Sequence, residues 1–403
     1  MTSEEVCDLV RSGEHAELQD VDVVTTATRA VMSGTYAVLS FPVACPGSFA
    51  RARNVWINGI SAHVGPCPNE KLGVLDVMVF GTTRSRDRHD YGGGHLFRDL
   101  AERKPVSVEV KTDEGKILQV EVGLDEMPNA KLCGTRHAFK NYSAFVNPGD
   151  RPVSTIFHAR SFEPHSGGAT FSGCGQINPI KNDPLLESIG VGTRILMNGA
   201  EGFVTGQGTR SCQDRPNLTG FVDMHEMNPE YMGGFITSAG PECICSWAVP
   251  IPVTTDTILK EIVRLDRDIP LPVMDVNDRC CIGQSNYGDV WENVDLGVEF
   301  DPQRCAGCAR CLVEQVCPMK AVIFEDTCAC RDESLCFHCG LCVAKYPSGA
   351  FRCNLGSIHL NNTTIPVVLR QSDRFRALTL ARDLKRRILD GSFKIAEPVE
   401  KIV

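Results

Sequence analysis

The chain has 403 residues, a formal net charge of −9 and twenty cysteines, and its sequence pI is near 5.6. An acidic balance without a long basic tract excludes the electrostatic footprint of nucleic-acid binding, which leaves small molecules and proteins as the expected partners. No uninterrupted apolar run reaches the roughly eighteen residues of a spanning helix, and Met1 to Val10 lacks the basic and apolar regions of a signal peptide, so the expected location is the cytoplasm with no membrane association.

Taken in chain order, Ser3 to Ser12 has helical apolar spacing, and Val74 to Phe80 reads as a strand. A helix is expected over His95 to Arg103, and strands over Val106 to Lys111 and Gly202 to Thr205. The breaks Pro250-Ile251-Pro252 and Pro270-Leu271-Pro272 bracket a helix over Thr255 to Leu265. A last helix runs from Asp373 to Leu389, with Ser372 as N-cap and Gly391 as stop. Its Arg374, Arg376, Arg382, Lys385, Arg386 and Arg387 read as a solvated face. The fold class is α+β: a large mixed α/β domain over 1–300, a small iron–sulfur domain over 301–357, and a C-terminal strand and helix over 358–403.

Ten of the twenty cysteines lie between Cys305 and Cys353, where the spacing is that of metal ligands. Disulfides and exposed iron–sulfur clusters belong to different redox environments, and this pattern points to a reducing one. Two near-copies of a ligand run stand out: Cys305, Cys308, Cys311 with Cys317-Pro318, then Cys336, Cys339, Cys342 with Tyr346-Pro347. In two-cluster ferredoxins each triplet of thiolates takes its fourth ligand from the Cys-Pro of the other run. That rule assigns Cys336, Cys339, Cys342 and Cys317 to one 4Fe-4S cluster, and leaves Cys305, Cys308 and Cys311 one thiolate short, because position 346 is Tyr. Cys353 is the expected replacement, Cys328 or Cys330 are the alternatives, and a three-iron cluster is the remaining outcome. The competing reading of the cysteines is a structural zinc site. Paired triplets with two proline-marked ends argue for iron and sulfur, hence for one-electron transfer.

Three cysteines outside that segment are candidate working thiols. Cys45 ends an apolar run at a Pro-Gly turn, Cys133 precedes Gly134-Thr135-Arg136, and Cys174 is flanked by glycines that permit close approach to the backbone.

Phe41 to Phe49, Asp90-Tyr-Gly-Gly-Gly-His95, Gly134 to Tyr142, Ser172 to Asn182 and Tyr287 to Trp291 together resemble the homocysteine-biosynthesis family, and with the cysteine runs attached, its methanogenesis-marker branch. The resemblance implies reductive sulfur insertion: an aldehyde R-CHO becomes a thiol R-CH2-SH with sulfide or a persulfide donor and two electrons from a low-potential donor protein. It implies L-aspartate semialdehyde giving homocysteine for the family and sulfoacetaldehyde giving coenzyme M for the branch, the latter being the expected reaction here. Cys45 matches the family's reactive cysteine, with Cys133 or Cys174 as its partner. Arg370 to Gly391 resembles the family's own C-terminal helix, which implies that the ferredoxin-like domain is inserted. An anionic aldehyde needs counter-charge, for which Arg136, Lys140 and the helix start at Gly93, Gly94 and His95 are the candidates, with His95 and His137 as proton carriers. A non-catalytic electron-transfer or assembly protein is the rival from another class, and a homo-oligomer is compatible with either.

Overall fold

Strands dominate because apolar and β-branched residues alternate with polar ones over most of the first three hundred residues. Thr35–Pro42 is one such strand, its side chains alternating between buried and half-buried positions. The computed structural model describes every residue except 15–17, 19, 66, 309, 326–327, 346–348 and 403. Tyr346, where a cysteine was expected, therefore lies outside the described residues.

A 13-stranded antiparallel sheet carries most of the chain. At one end, Val23–Val31 pairs with Gly240–Pro252, and both are buried along nearly their whole length. Burial of successive residues requires cover on both faces, and the helix Arg374–Leu389 packs on these two strands. The middle of the sheet runs through Ala200–Gln207, Leu218–Asp223, Asn129–His137, Thr35–Pro42 and Val74–Phe80, and the far edge is Ile117–Val122, where one face is solvated.

A second sheet of six strands has the order Cys281–Asn286, Pro270–Asp275, Ala144–Val146, Ala169–Phe171, Thr363–Arg370, Ser357–Leu360. Two of its pairings are parallel, Pro270–Asp275 with Ala144–Val146 and Ala169–Phe171 with Thr363–Arg370. The chain leaves this sheet after Asn286 and re-enters it at Ser357. Between those points Glu299–Phe300 pairs with Phe351–Arg352, Val322–Glu325 forms a hairpin with Cys328–Arg331, and the short helices Leu312–Val316 and Leu341–Lys345 are in contact.

The first helix is Ser3–Ser12, closed by a Thr2/Glu5 capping box and a left-handed Gly13. The second begins two residues earlier than the apolar spacing suggested and spans Gly93–Ala101. Thr255 caps Asp256–Ile262 through Ile258 N. At the C-terminal helix the N-cap is Asp373, which accepts from Arg376 N, whereas Ser372 accepts from Gly173 N at 2.8 Å. The expected solvated arginine face is also corrected. Arg374 is 3 % and Arg376 7 % exposed, because Arg374 pairs with Asp266 and Glu4 while Arg376 donates to the carbonyls of Cys336 and Glu333. Arg382 and Arg386, further along, are exposed.

Candidate functional site

A cavity of about 570 Å³ opens where residues of both sheets meet, and its lining is strongly cationic. The end of strand Asn129–His137 brings Arg136 and the segment after it Lys140, the loop after Ala200–Gln207 brings Arg210 and Arg215, and the turn after Pro270–Asp275 brings Arg279. Lys181 and Arg264 complete seven basic side chains against two carboxylates, Asp214 and Glu261. Two of the seven are already engaged: Arg264 pairs with Glu261, and Lys181 Nζ donates to the carbonyls of Glu261 and Arg264. Burial lowers the Lys181 ammonium to about 8.

Of the remaining guanidiniums, Arg210 and Arg279 act on Arg136. Arg136 is pulled below its ordinary range chiefly by burial, and repulsion from Arg210 and Arg279 adds to the shift while Tyr142 opposes it. Its guanidinium lies 5.0 Å from the Phe139 ring centroid, and that of Arg279 lies 4.9 Å from Phe157. Like charges held this close are unfavourable unless an anion sits between them. A smaller cavity of about 80 Å³ adjoins, sharing Arg136, Phe139, Tyr142 and Arg279 and adding Gly34, Ser172 and Gln371.

The frame around these cavities comes from distant segments. Tyr287 Oη donates to Ser172 O at 2.7 Å and accepts from Tyr142 N at 3.0 Å, while Trp291 Nε1 donates to Gly173 O. Asn141 grips Gly175 through both its amide oxygen and its amide nitrogen. Gly173 and Gly175 hold φ of +121° and +65°, and a Cβ on either would strike Tyr287 Oη at 2.3 Å or Asp266 Oδ1 at 2.0 Å. Thus Gly134 to Tyr142, Ser172 to Asn182 and Tyr287 to Trp291 pack into one unit, although they come from three separate stretches of the chain.

The three thiols singled out in the sequence are not brought together. Cys174 is buried beside Thr28 Oγ1 and the Arg29 carbonyl, and burial pushes its thiol up. Cys133 is half-buried opposite Tyr36 on the adjacent strand, again raised by burial. Cys45 is exposed beyond Pro42. Strand Thr35–Pro42 begins beside Gly134, next to the cationic cavity, and ends at the Cys45 loop. At about 3.3 Å per residue its seven steps put about 23 Å between those ends. The thiol that lines the cavity is Cys212, which is exposed between Arg210 and Arg215. Nothing in its local sequence marked it except the two arginines flanking it.

Gly93, Gly94 and His95 start their helix in the interior. Their amides donate to the carbonyls of Thr83, Gly81 and Gly92, and a Cβ on Gly93 would lie 2.1 Å from Phe80 O. These N–H groups are therefore spent within the fold and do not face a ligand. Burial depresses His95 to about 4 and His137 to about 3. Since Trp247 Nε1 can only donate, His137 Nδ1 accepts from it and Nε2 carries the proton toward Thr35 Oγ1, which itself donates to Met32 O. Both histidines are neutral at physiological pH.

The helix Gly93–Ala101 instead supports the cysteine segment: Asp90 pairs with Lys320, and Arg98 donates to Ser334 O. Cys336, Cys339, Cys342 and Cys317 are electrostatic neighbours there. Burial raises each thiol, and Cys317 raises the other three further. The backbone amides of Met319 to Val322 donate toward Cys317 Sγ. Four neighbouring thiols, Cys339 buried and the other three half-buried, with amide donors fit a cluster of iron and sulfide, which supplies the positive charge that thiolates need. Among the described residues, no three ligand side chains already stand in metal-holding geometry. Cys305, Cys308 and Cys311 pack on an apolar group with Val313, Val322 and Phe351, which Cys317, Cys342 and Cys353 also touch. The cysteine segment also meets the small cavity, since Arg370 N donates to Cys339 O at 2.9 Å and the next residue, Gln371, lines that cavity.

A protein of Methanothermobacter thermautotrophicus, uncharacterized, is 46% identical over 97% of this chain and 90% of its own length. An uncharacterized protein of Methanocaldococcus jannaschii is 41% identical over 98% of both. A protein of Methanosarcina acetivorans named L-aspartate semialdehyde sulfurtransferase is 29% identical over 72% of this chain and 59% of its own length. No solved structure matches, and among the described residues no helix is long and apolar enough to cross a membrane. The family model described as homocysteine biosynthesis enzyme, sulfur-incorporation, matches residues 1–395. The chain belongs to this family of sulfur-incorporating enzymes.

Proposed function

We propose that the protein converts a small anionic aldehyde to the corresponding thiol in the cationic cavity, with sulfoacetaldehyde giving coenzyme M as the reaction. The single observation that carries this reading is that Arg136, Arg210 and Arg279 line one cavity, with Arg210 and Arg279 both repelling Arg136, an arrangement that a bound anion would relieve. A sulfonate presents three acceptor oxygens to such a group. L-Aspartate semialdehyde is the second reading, favoured by the printed name of the relative in Methanosarcina acetivorans. That substrate also bears an ammonium, which calls for a carboxylate, and of the two in the cavity Glu261 is tied to Arg264. The charge of the cavity thus favours the aldehyde that has no cationic group.

The overall change is R-CHO plus hydrogen sulfide, two electrons and two protons, giving R-CH2-SH and water. Arg136, Arg210 and Arg279 hold the anionic end, and the exposed Lys140 can return a proton to the departing oxygen. Cys212 is the thiol that meets the bound aldehyde. Cys45, accessible at its loop, is the site for accepting sulfur from a persulfide donor, and its reduction by two electrons and two protons would free sulfide and restore the thiol. The β-α-β-β-α-β order of the cysteine segment supports reading it as an inserted ferredoxin-like unit. Cys336, Cys339, Cys342 and Cys317 would hold one iron–sulfur cluster and the Cys305 triplet another, and such clusters supply electrons singly when bound.

Anaerobic incubation of cluster-loaded protein with sulfide, a low-potential reductant and each aldehyde, scored for thiol, tests the proposal. Thiol from sulfoacetaldehyde is expected. Thiol only from L-aspartate semialdehyde selects the second reading, and thiol from neither refutes the enzyme assignment in favour of an electron-transfer or assembly role. With sulfide as donor Cys45→Ala should retain activity, and with a persulfide donor it should lose it.

A further inference from the structure

We propose that Cys328 supplies the fourth thiolate to the site formed by Cys305, Cys308 and Cys311, the place the sequence first gave to Cys353. The inference rests on the reading of the segment as a two-cluster unit. The hairpin fixes the geometry: Glu325 pairs with Cys328, Phe324 with Ala329 and Ile323 with Cys330. This register lays the start of the second strand along Cys305. Ala329 N donates to Cys305 Sγ at 3.5 Å, and the Cys328 thiol, which approaches the carbonyls of Pro302 and Ala329, is an electrostatic neighbour of Cys305. Two neighbouring thiols, with a backbone amide directed at one of them, suit ligands of a single cluster. The next cysteine on the strand, Cys330, is exposed.

Cys353 packs on the same apolar group as Cys305 and Cys308, but the polar partners of its thiol belong elsewhere. Its thiol lies 3.6 Å from the Asp295 carbonyl and 4.0 Å from Arg370 Nη1. Arg370 also donates to the carbonyls of Asp295 and Asn354, and Asn354 N donates to Asp295 Oδ2 at 2.6 Å. This lattice joins the re-entry point of the second sheet to the segment before the cluster motifs. Cys353 is accounted for as part of that seam.

The test is anaerobic reconstitution of the full chain and its Cys328→Ala, Cys353→Ala and Cys330→Ala variants, with iron and acid-labile sulfide counted and electron paramagnetic resonance recorded in both redox states. About eight irons per chain are expected for the parent, Cys353→Ala and Cys330→Ala. Cys328→Ala should fall to about four, or to about seven with an oxidised three-iron signal, while keeping the other cluster's spectrum, which shows that the chain has folded. Two intact four-iron clusters in Cys328→Ala, or loss of one in Cys353→Ala, overturns the assignment. A parent chain that binds no iron overturns the cluster reading itself and this inference with it, whereas the aldehyde assay reports on the cavity independently.

Discussion

Replacing Asp373 by Asn should destabilise the protein more than any other single-atom change suggested by the structure. Asp373 and Arg29 form an ion pair in which both side chains are 0% exposed. Arg29 also donates to Glu230 O and lies 4.9 Å from the ring of Phe337, which stands between Cys336 and Cys339 in the chain. Burial lowers Arg29 to about 10 despite the attraction of Asp373, so it remains charged at neutral pH. Asn preserves the helix cap, because its side-chain oxygen can still accept from Arg376 N. The substitution therefore isolates the charge. Removing one member of a fully buried pair costs about 3–5 kcal/mol, because the other charge is left uncompensated. At about 2.1 cal/mol/K per residue, the unfolding entropy of a chain of 403 residues is about 0.85 kcal/mol/K, so the midpoint should fall by about 4–6 °C. Anaerobic urea titration and thermal circular dichroism measure both quantities. A loss below about 1 kcal/mol would refute the claim that Arg29 is charged and sealed from water.

Three further outcomes follow from the site geometry. Arg136→Gln and Arg279→Gln should each lower kcat/KM about ten- to a hundredfold through KM, the range of a lost charge-assisted hydrogen bond, and an unchanged KM would remove them from substrate binding. For His95 and His137 the folded pKa lies below the unfolded value near 6.5, so the unfolded state binds more protons between the two. Stability should therefore fall as pH drops from about 6.5 toward 4, before most carboxylates titrate; urea midpoints that stay flat between pH 7 and 5 would contradict this. Gly94→Ala would place a Cβ 2.7 Å from Gly233 O and 3.0 Å from the Cα atoms of Cys243 and Gly234. It should cost about 1–3 kcal/mol of stability while leaving KM unaltered, whereas a raised KM would restore the helix start as a substrate contact.

Much of what the chain is could be read before folding it. Periodicity placed Ser3–Ser12 and Val74–Phe80 at their observed bounds, because both depend on neighbours a few residues away. The cysteine spacing paired Cys317 with the second triplet, and the structure makes these four electrostatic neighbours, since a short loop leaves few ways to bring three thiols together. The five separate motifs identified the family, which the match over residues 1–395 bears out.

Tertiary contacts decided the rest. Arg374 and Arg376 look like surface residues in a helical wheel, and only the positions of Asp266, Glu4 and the Cys336 carbonyl explain their burial. The glycines before His95 resemble an anion-binding turn until Thr83 and Gly81 are seen to accept their protons. Arg136, Arg210 and Arg279 are distant in sequence and belong to a strand end and two separate loops, so no local pattern could announce their convergence. Local order follows from short-range sterics and hydrogen bonding, and was legible in the sequence. Charge convergence and burial depend on which strands pair across two sheets, and those pairings exist only in the folded chain.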